Sequence, residues 1–169
     1  MRLLGDYTRD VVERMEEGKD SLEKYLLSWE CFCDHSFQKP DVFYAVFIMD
    51  LGDLPDELIK EYYELYPSDL ICIPEDLRPI LFHRDISARG RSLLTSASEE
   101  GLIKKENIEH INEMTNLIWY GIFTNYRNNR MTYTRQEDID MAMVYISQIV
   151  HHADVFDFKS GYITKYEKK

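Results

Sequence analysis

The sequence predicts a single, mainly α domain of six or seven helices. Gly and Pro are scarce, at seven and five of 169 residues, which disfavours a turn-rich β design and disorder alike. Apolar residues recur at three- and four-residue spacing along several stretches, the period of an amphipathic helix. A hydrophobic fraction of 44% with 30% charged residues is that of a chain able to bury one core without metals or disulfides.

Tyr7, Val11 and Met15 share a helical face and Gly18 follows as a stop, so residues 6–17 read as a short helix. Asp20 with Glu23 three residues on is a variant capping box. Leu22, Tyr25, Leu26, Trp29 and Phe32 then mark one face of a second helix through about residue 34. Val42 to Met49 is almost wholly apolar, so periodicity fits a buried helix or a buried strand, and Pro40 before it suits a first helical turn. Asp53 and Pro55 open a helix with Leu58, Ile59, Tyr62, Tyr63 and Tyr66 on its apolar side, ended by Pro67. Leu70 to Ile73, before Pro74, reads as a short strand, so a minor β pair of 42–49 with 70–73 is the rival reading inside the helical domain.

Between 75 and 98, Pro79 and Gly90 argue for one or two short helices with an arginine-rich bend. Gly101 breaks the chain. Ile108, Ile111, Thr115, Ile118, Ile122 and Tyr126 then define a helix over about 105–126, expected with its successor at the centre of the core. Asn125, Asn128 and Asn129 form its exit, and Thr134 with Glu137 is a capping box opening a helix whose Ile139, Ala142, Met143, Ile146, Ile149 and Val150 face inward. The tail 155–169 carries Phe156, Phe158, Tyr162, Ile163 and Tyr166 and is expected to dock on the domain or on a second copy. No repeat or linker divides residues 1–169.

Charge is segregated. Residues 1–77 hold nineteen acidic against seven basic side chains, a net of −12, within a chain of net −11. Residues 78–135 hold nine basic against six acidic, and seven of the ten arginines fall there. Arg84, Arg89, Arg91, Arg127 and Arg130 are the candidate ligand or partner site, because the guanidinium fork suits carboxylate and phosphate. The competing reading is internal: with so much acid in the first part, these arginines pair within the molecule, each exposed pair contributing ~0 to 1 kcal/mol. The acidic balance excludes general nucleic-acid binding and leaves it conceivable only through the arginine block.

Other chemistry is sparse. Cys31, Cys33 and His35 are metal-binding residue types, but Cys31 and Cys33 point about 200° apart on a helix and read as buried small hydrophobes. His151, His152 and Asp154, completed by His83 or His110, are the candidates for a metal-dependent hydrolase, the least favoured function. His83-Arg84-Asp85 has the lettering of a kinase catalytic loop without the rest of that machinery. Glu106, Glu109, His110 and Glu113 lack the Glu-x-x-His spacing of a di-iron bundle and read as a solvated face. No catalytic residue, metal or cofactor is assigned. No stretch reaches the roughly 20 apolar residues of a membrane span, and the odd set of three cysteines suits a reducing cytoplasm. The expectation is a soluble, unexported, non-enzymatic cytoplasmic domain, regulatory or inhibitory, that binds another protein through charged and aromatic surface. A phospholigand or nucleic-acid binder is the alternative.

Overall fold

The computed structural model describes residues 2–49, 60, 61, 64, 65, 67, 75, 85–130 and 132–153. Among them are six α-helices with defined bounds: α1 (Arg2–Glu16), α2 (Ser21–Gln38), α3 (Pro40–Phe47), α4 (Ile86–Glu99), α5 (Ile108–Arg127) and α6 (Arg135–His152). A 3-10 turn at Lys105–Asn107 leads into α5. No strand occurs among the described residues, so the fold is mainly α. The ambiguous run 42–49 belongs to α3 and its terminal turn, which removes one partner of the rival β pair. Residues 70–73 and the tail 155–169 lie outside the described residues. Lys60, Glu61, Glu64, Leu65 and Pro67 are helical, so Pro67 sits within helical geometry instead of beyond it.

The helix ends follow from local chemistry. The Asp20 carboxylate accepts the N–H groups of Leu22 and Glu23 at 2.9 and 2.8 Å, while Glu23 reaches back to the N–H of Lys19 at 2.9 Å. Glu100, just beyond α4, accepts from both the N–H and the hydroxyl of Ser21, so the start of α2 is closed by two carboxylates. The Thr134–Glu137 capping box is formed at α6. Two helices stop in Schellman motifs. After α4, Leu102 N–H bonds Ala97 C=O and Gly101 N–H bonds Ser98 C=O, with Gly101 at φ 78°. After α5, Arg130 bonds Asn125 and Asn129 bonds Tyr126 in the same pattern, with Asn129 at φ 50°.

The centre of the molecule is α2, which packs against α1, α3, α4, α5 and α6. Its buried residues, Ser21, Tyr25, Trp29, Cys31, Phe32, Cys33, Ser36 and Phe37, spread over an arc of about 240° at 100° per residue. That corrects the expectation that the α5–α6 pair is the centre. Phe32 joins the layers: its ring lies 5.8 Å from Tyr7 of α1, 5.5 Å from Phe43 and 5.2 Å from Phe47 of α3, and 4.9 Å from Trp119 of α5. Buried side chains of all six helices belong to this one cluster. Of the one or two short helices with an arginine-rich bend expected over 75–98, α4 is one and runs unbroken through Gly90 at its crossing with α2 and α5, while residues 76–84 lie outside the described residues. Among the described residues, no helix is long and apolar enough to cross a membrane.

Candidate functional site

The arginines proposed from sequence go to different places. Arg91 forks onto Glu109 of α5, Nε and Nη2 donating at 2.7 and 3.0 Å, and this pairing draws the Glu109 carboxyl below its usual range. Arg127 donates to Asp41 at 3.2 Å and lies 4.0 Å from the centre of the Tyr44 ring. Arg89 donates to the Tyr7 hydroxyl at 3.3 Å and sits 5.3 Å from the Phe47 ring centre. Arg89 of α4 and Arg127 of α5 thus reach α3 over rings one helical turn apart, whereas Arg91 ties α4 to α5. Arg130 is exposed after the α5 cap, and Arg84 lies outside the described residues. Burial pushes Tyr7 up to about 12 against the pull of Arg89, so its hydroxyl is neutral and accepts that bond.

His151 and His152 are exposed at the end of α6, His152 with Nδ1 3.0 Å from Gln148 C=O. His83 and Asp154 lie outside the described residues. Among the described residues one three-ligand group comes together, and it includes none of these: Asp10, Cys31 and His35, with donor atoms all within 4.8 Å of one another. Cys31 and His35 stand one turn apart on α2 and face Asp10 of α1. Cys31 Sγ is 3.5 Å and His35 Nε2 is 2.9 Å from Asp10 Oδ2. Arg14 lies 3.5 Å from Asp10 and 2.8 Å from Asp34. Burial raises the Asp10 carboxyl, but the His35 hydrogen bond, Arg14 and Cys31 outweigh it and hold the carboxyl below its ordinary value. Burial and then Asp10 push the Cys31 thiol up, and the imidazole faces the carboxylate instead of the sulfur, so no activated nucleophile is built. Asp10 was not singled out in the sequence. The Cys31/His35 spacing of four was legible, but its third member stands on another helix.

A different surface has the character of a docking site. The connection 128–134 returns α6 antiparallel against α5, and both helices keep large apolar side chains at the surface: Leu117 is 65% exposed, Tyr120 47%, Val144 51% and Tyr145 47%. Leu117 and Tyr145 are equidistant from the middle of the connection, so they stand at one height with Val144 beside them, whereas Tyr120 shares its side of α5 with Glu109 and Arg127 and so faces α4 and α3. Toward the ends of the hairpin stand exposed Glu106 in the 3-10 turn before α5, Glu113 on α5, and Glu137 and Asp140 on α6. Exposed Leu117, Val144 and Tyr145 therefore stand at one level of the hairpin, with carboxylates toward both of its ends. The α1–α2–α4 junction, by contrast, holds a small pocket of about 40 Å³ with mostly apolar walls, among them Val11, Trp29, Phe32 and Leu93, whose Arg89 and Tyr7 are engaged with each other.

No family model, curated protein or solved structure matches this chain.

Proposed function

We propose that this protein is a non-enzymatic protein-interaction domain that docks a basic, amphipathic helical segment of another protein on the outer face of the α5–α6 hairpin. The observation that carries the reading is the set of exposed apolar side chains Leu117, Val144 and Tyr145 at one level of the hairpin, with carboxylates toward its two ends. Two packed helices leave a shallow groove, and a third helix laid into it through i, i+3, i+4 and i+7 side chains is a recurring mode of recognition. Tyr supplies large contact area with few rotatable bonds and is enriched in interfaces. Charge chooses the occupant: a second copy would bring the same acidic rim and the same net −11, and like charges in apposition cost affinity, whereas Lys and Arg flanking an apolar stripe fit. The engagement of Arg91 and Arg127 with acids of their own chain favours this face over the arginine block. Two free, buried cysteines, Cys31 and Cys33, suit a reducing compartment such as the cytoplasm.

A photo-crosslinking residue at position 117 or 144, compared with one at Glu13 on α1, tests the reading in living cells. The expected result is one protein captured at 117 and 144 and not at 13, with the crosslink mapping to a Lys- and Arg-bearing amphipathic segment. Capture of a second copy, of an acidic segment, or of the same species at all three positions contradicts it.

A further inference from the structure

We infer that Asp10, Cys31 and His35 form a binding site for a divalent transition-metal ion, zinc by its ligand chemistry, on the α1–α2 face away from the docking strip. Thiolate, imidazole and carboxylate together suit zinc and its neighbours, and they disfavour magnesium and calcium, which take oxygen. The donors are already gathered. Bond lengths of about 2.0 to 2.3 Å give tetrahedral edges of roughly 3.3 to 3.8 Å; the 3.5 Å from Sγ to Oδ2 falls in that range, the 2.9 Å from Nε2 to Oδ2 is a hydrogen bond that must lengthen as the metal enters, and Sγ and Nε2 lie within 4.8 Å of each other. Two ligands come from one helix at i and i+4 and the third from the helix packed on it, so the site is as rigid as the α1–α2 contact.

The neighbours allow the exchange. Arg14, which touches Asp10 at 3.5 Å, has a shorter partner in Asp34 at 2.8 Å, so an arriving cation releases Asp10 without leaving the guanidinium unpaired. Cys33 is buried with its own acidic neighbours, Asp34 and Glu30, and belongs to another face of α2. Three protein ligands leave a fourth position. It opens outward, because the Asp10 and His35 side chains are 35% and 16% exposed, and water fills it. Binding is a proton exchange: the Cys31 S–H bond breaks, the sulfur–metal bond forms, and the proton leaves to solvent. His35 turns its Nε2 lone pair to the metal and keeps its proton on Nδ1.

Cobalt(II) is the probe for the intact, metal-free chain, with zinc added in competition. One equivalent should give a thiolate-to-cobalt charge-transfer band and tetrahedral d–d bands, release close to one proton, and raise the thermal midpoint by several degrees. Cys31→Ser should abolish the charge-transfer band. His35→Gln and Asp10→Asn, at partly exposed positions, should each weaken binding at least ten-fold, while Cys33→Ser and the His151→Ala/His152→Ala double variant leave it unchanged. Absence of a charge-transfer band in the folded wild type, equal affinity in wild type and His35→Gln, or loss of binding only in the His151→Ala/His152→Ala variant overturns the site. Should Cys31→Ser fail to fold, the His35 and Asp10 variants decide the question alone.

Discussion

Gly90 of α4 lies against Asn112 of α5 so closely that a Cβ on the glycine would fall on the Asn112 side-chain oxygen. The amide cannot swing aside freely, because its nitrogen donates to the Ser87 carbonyl at 2.9 Å and the Ser87 hydroxyl at 2.7 Å. The ring of Tyr25 stands 3.3 Å from the same point. Glycine, unfavourable in a helix interior, is thus the residue that lets α2, α4 and α5 meet.

Gly90→Ala should therefore destabilise the fold by about 1–3 kcal/mol, against the gain of a few tenths to about 1 kcal/mol the change gives in an open helix. Urea unfolding measures it. Asn112→Ala is expected to recover part of the loss in the double variant, giving a coupling of at least about 0.5 kcal/mol. Full additivity would show that the crossing is not the cause.

The buried pair Tyr25 and Thr115, 2.7 Å apart, has a direction. Thr115 gives its only proton to the Ile111 or Asn112 carbonyl, at 2.8 and 3.1 Å, so the Tyr25 hydroxyl donates to Thr115. Thr115→Val should then cost more than Tyr25→Phe, because the first leaves a buried donor unsatisfied, at about 1–3 kcal/mol, and the second leaves Thr115 with its carbonyl bond and costs about 1 kcal/mol. Thermal or urea midpoints of both variants order them, and the reverse order refutes the assignment.

Asp138 is fully buried in the first turn of α6, and among the described residues neither carboxylate oxygen has a hydrogen-bond partner. Burial, and then Glu137, raise its pKa above the ordinary 3.8. Between the unfolded and folded values the native state holds more protons, so this group's contribution falls as pH rises through that window and stays lost at neutral pH. Glu137, Glu109 and Asp10, all lowered, act in the opposite sense and lose their contribution as pH falls. Asp138→Asn should raise neutral-pH stability by about 1–3 kcal/mol, with the gain vanishing in acid. Unfolding free energies of both proteins across pH check this, and a less stable variant at neutral pH contradicts it.

Helix ends were legible because caps are local: Asp20, Gly101, Asn129 and the Thr134–Glu137 box each act through a few neighbouring N–H and C=O groups. The hub was not. Periodicity along α5 and α6 is as clear as along α2, and a helix buried on several sides shows itself only through additional small or aromatic residues such as Cys31, Cys33, Ser36 and Phe37. Gly90 read as a weakness because the neighbour that requires it, Asn112, is distant in sequence. Asp10 escaped for the same reason. The arginines were seen as a group, yet their partners Glu109, Asp41 and Tyr7 are set by how helices cross. On α5 and α6, outward apolar residues are exceptions to the pattern, and only the packing shows which face is outward.

The docking claim is tested most directly by selecting random helical peptides displayed against the intact wild-type chain and re-testing the winners on a Leu117→Glu/Val144→Glu variant. Enrichment of peptides with an apolar i, i+3, i+4, i+7 stripe flanked by Lys and Arg, bound at least ten-fold more weakly by the variant, is the outcome the α5–α6 strip requires. Winners that are acidic, or that bind both proteins alike, would place recognition elsewhere on the molecule.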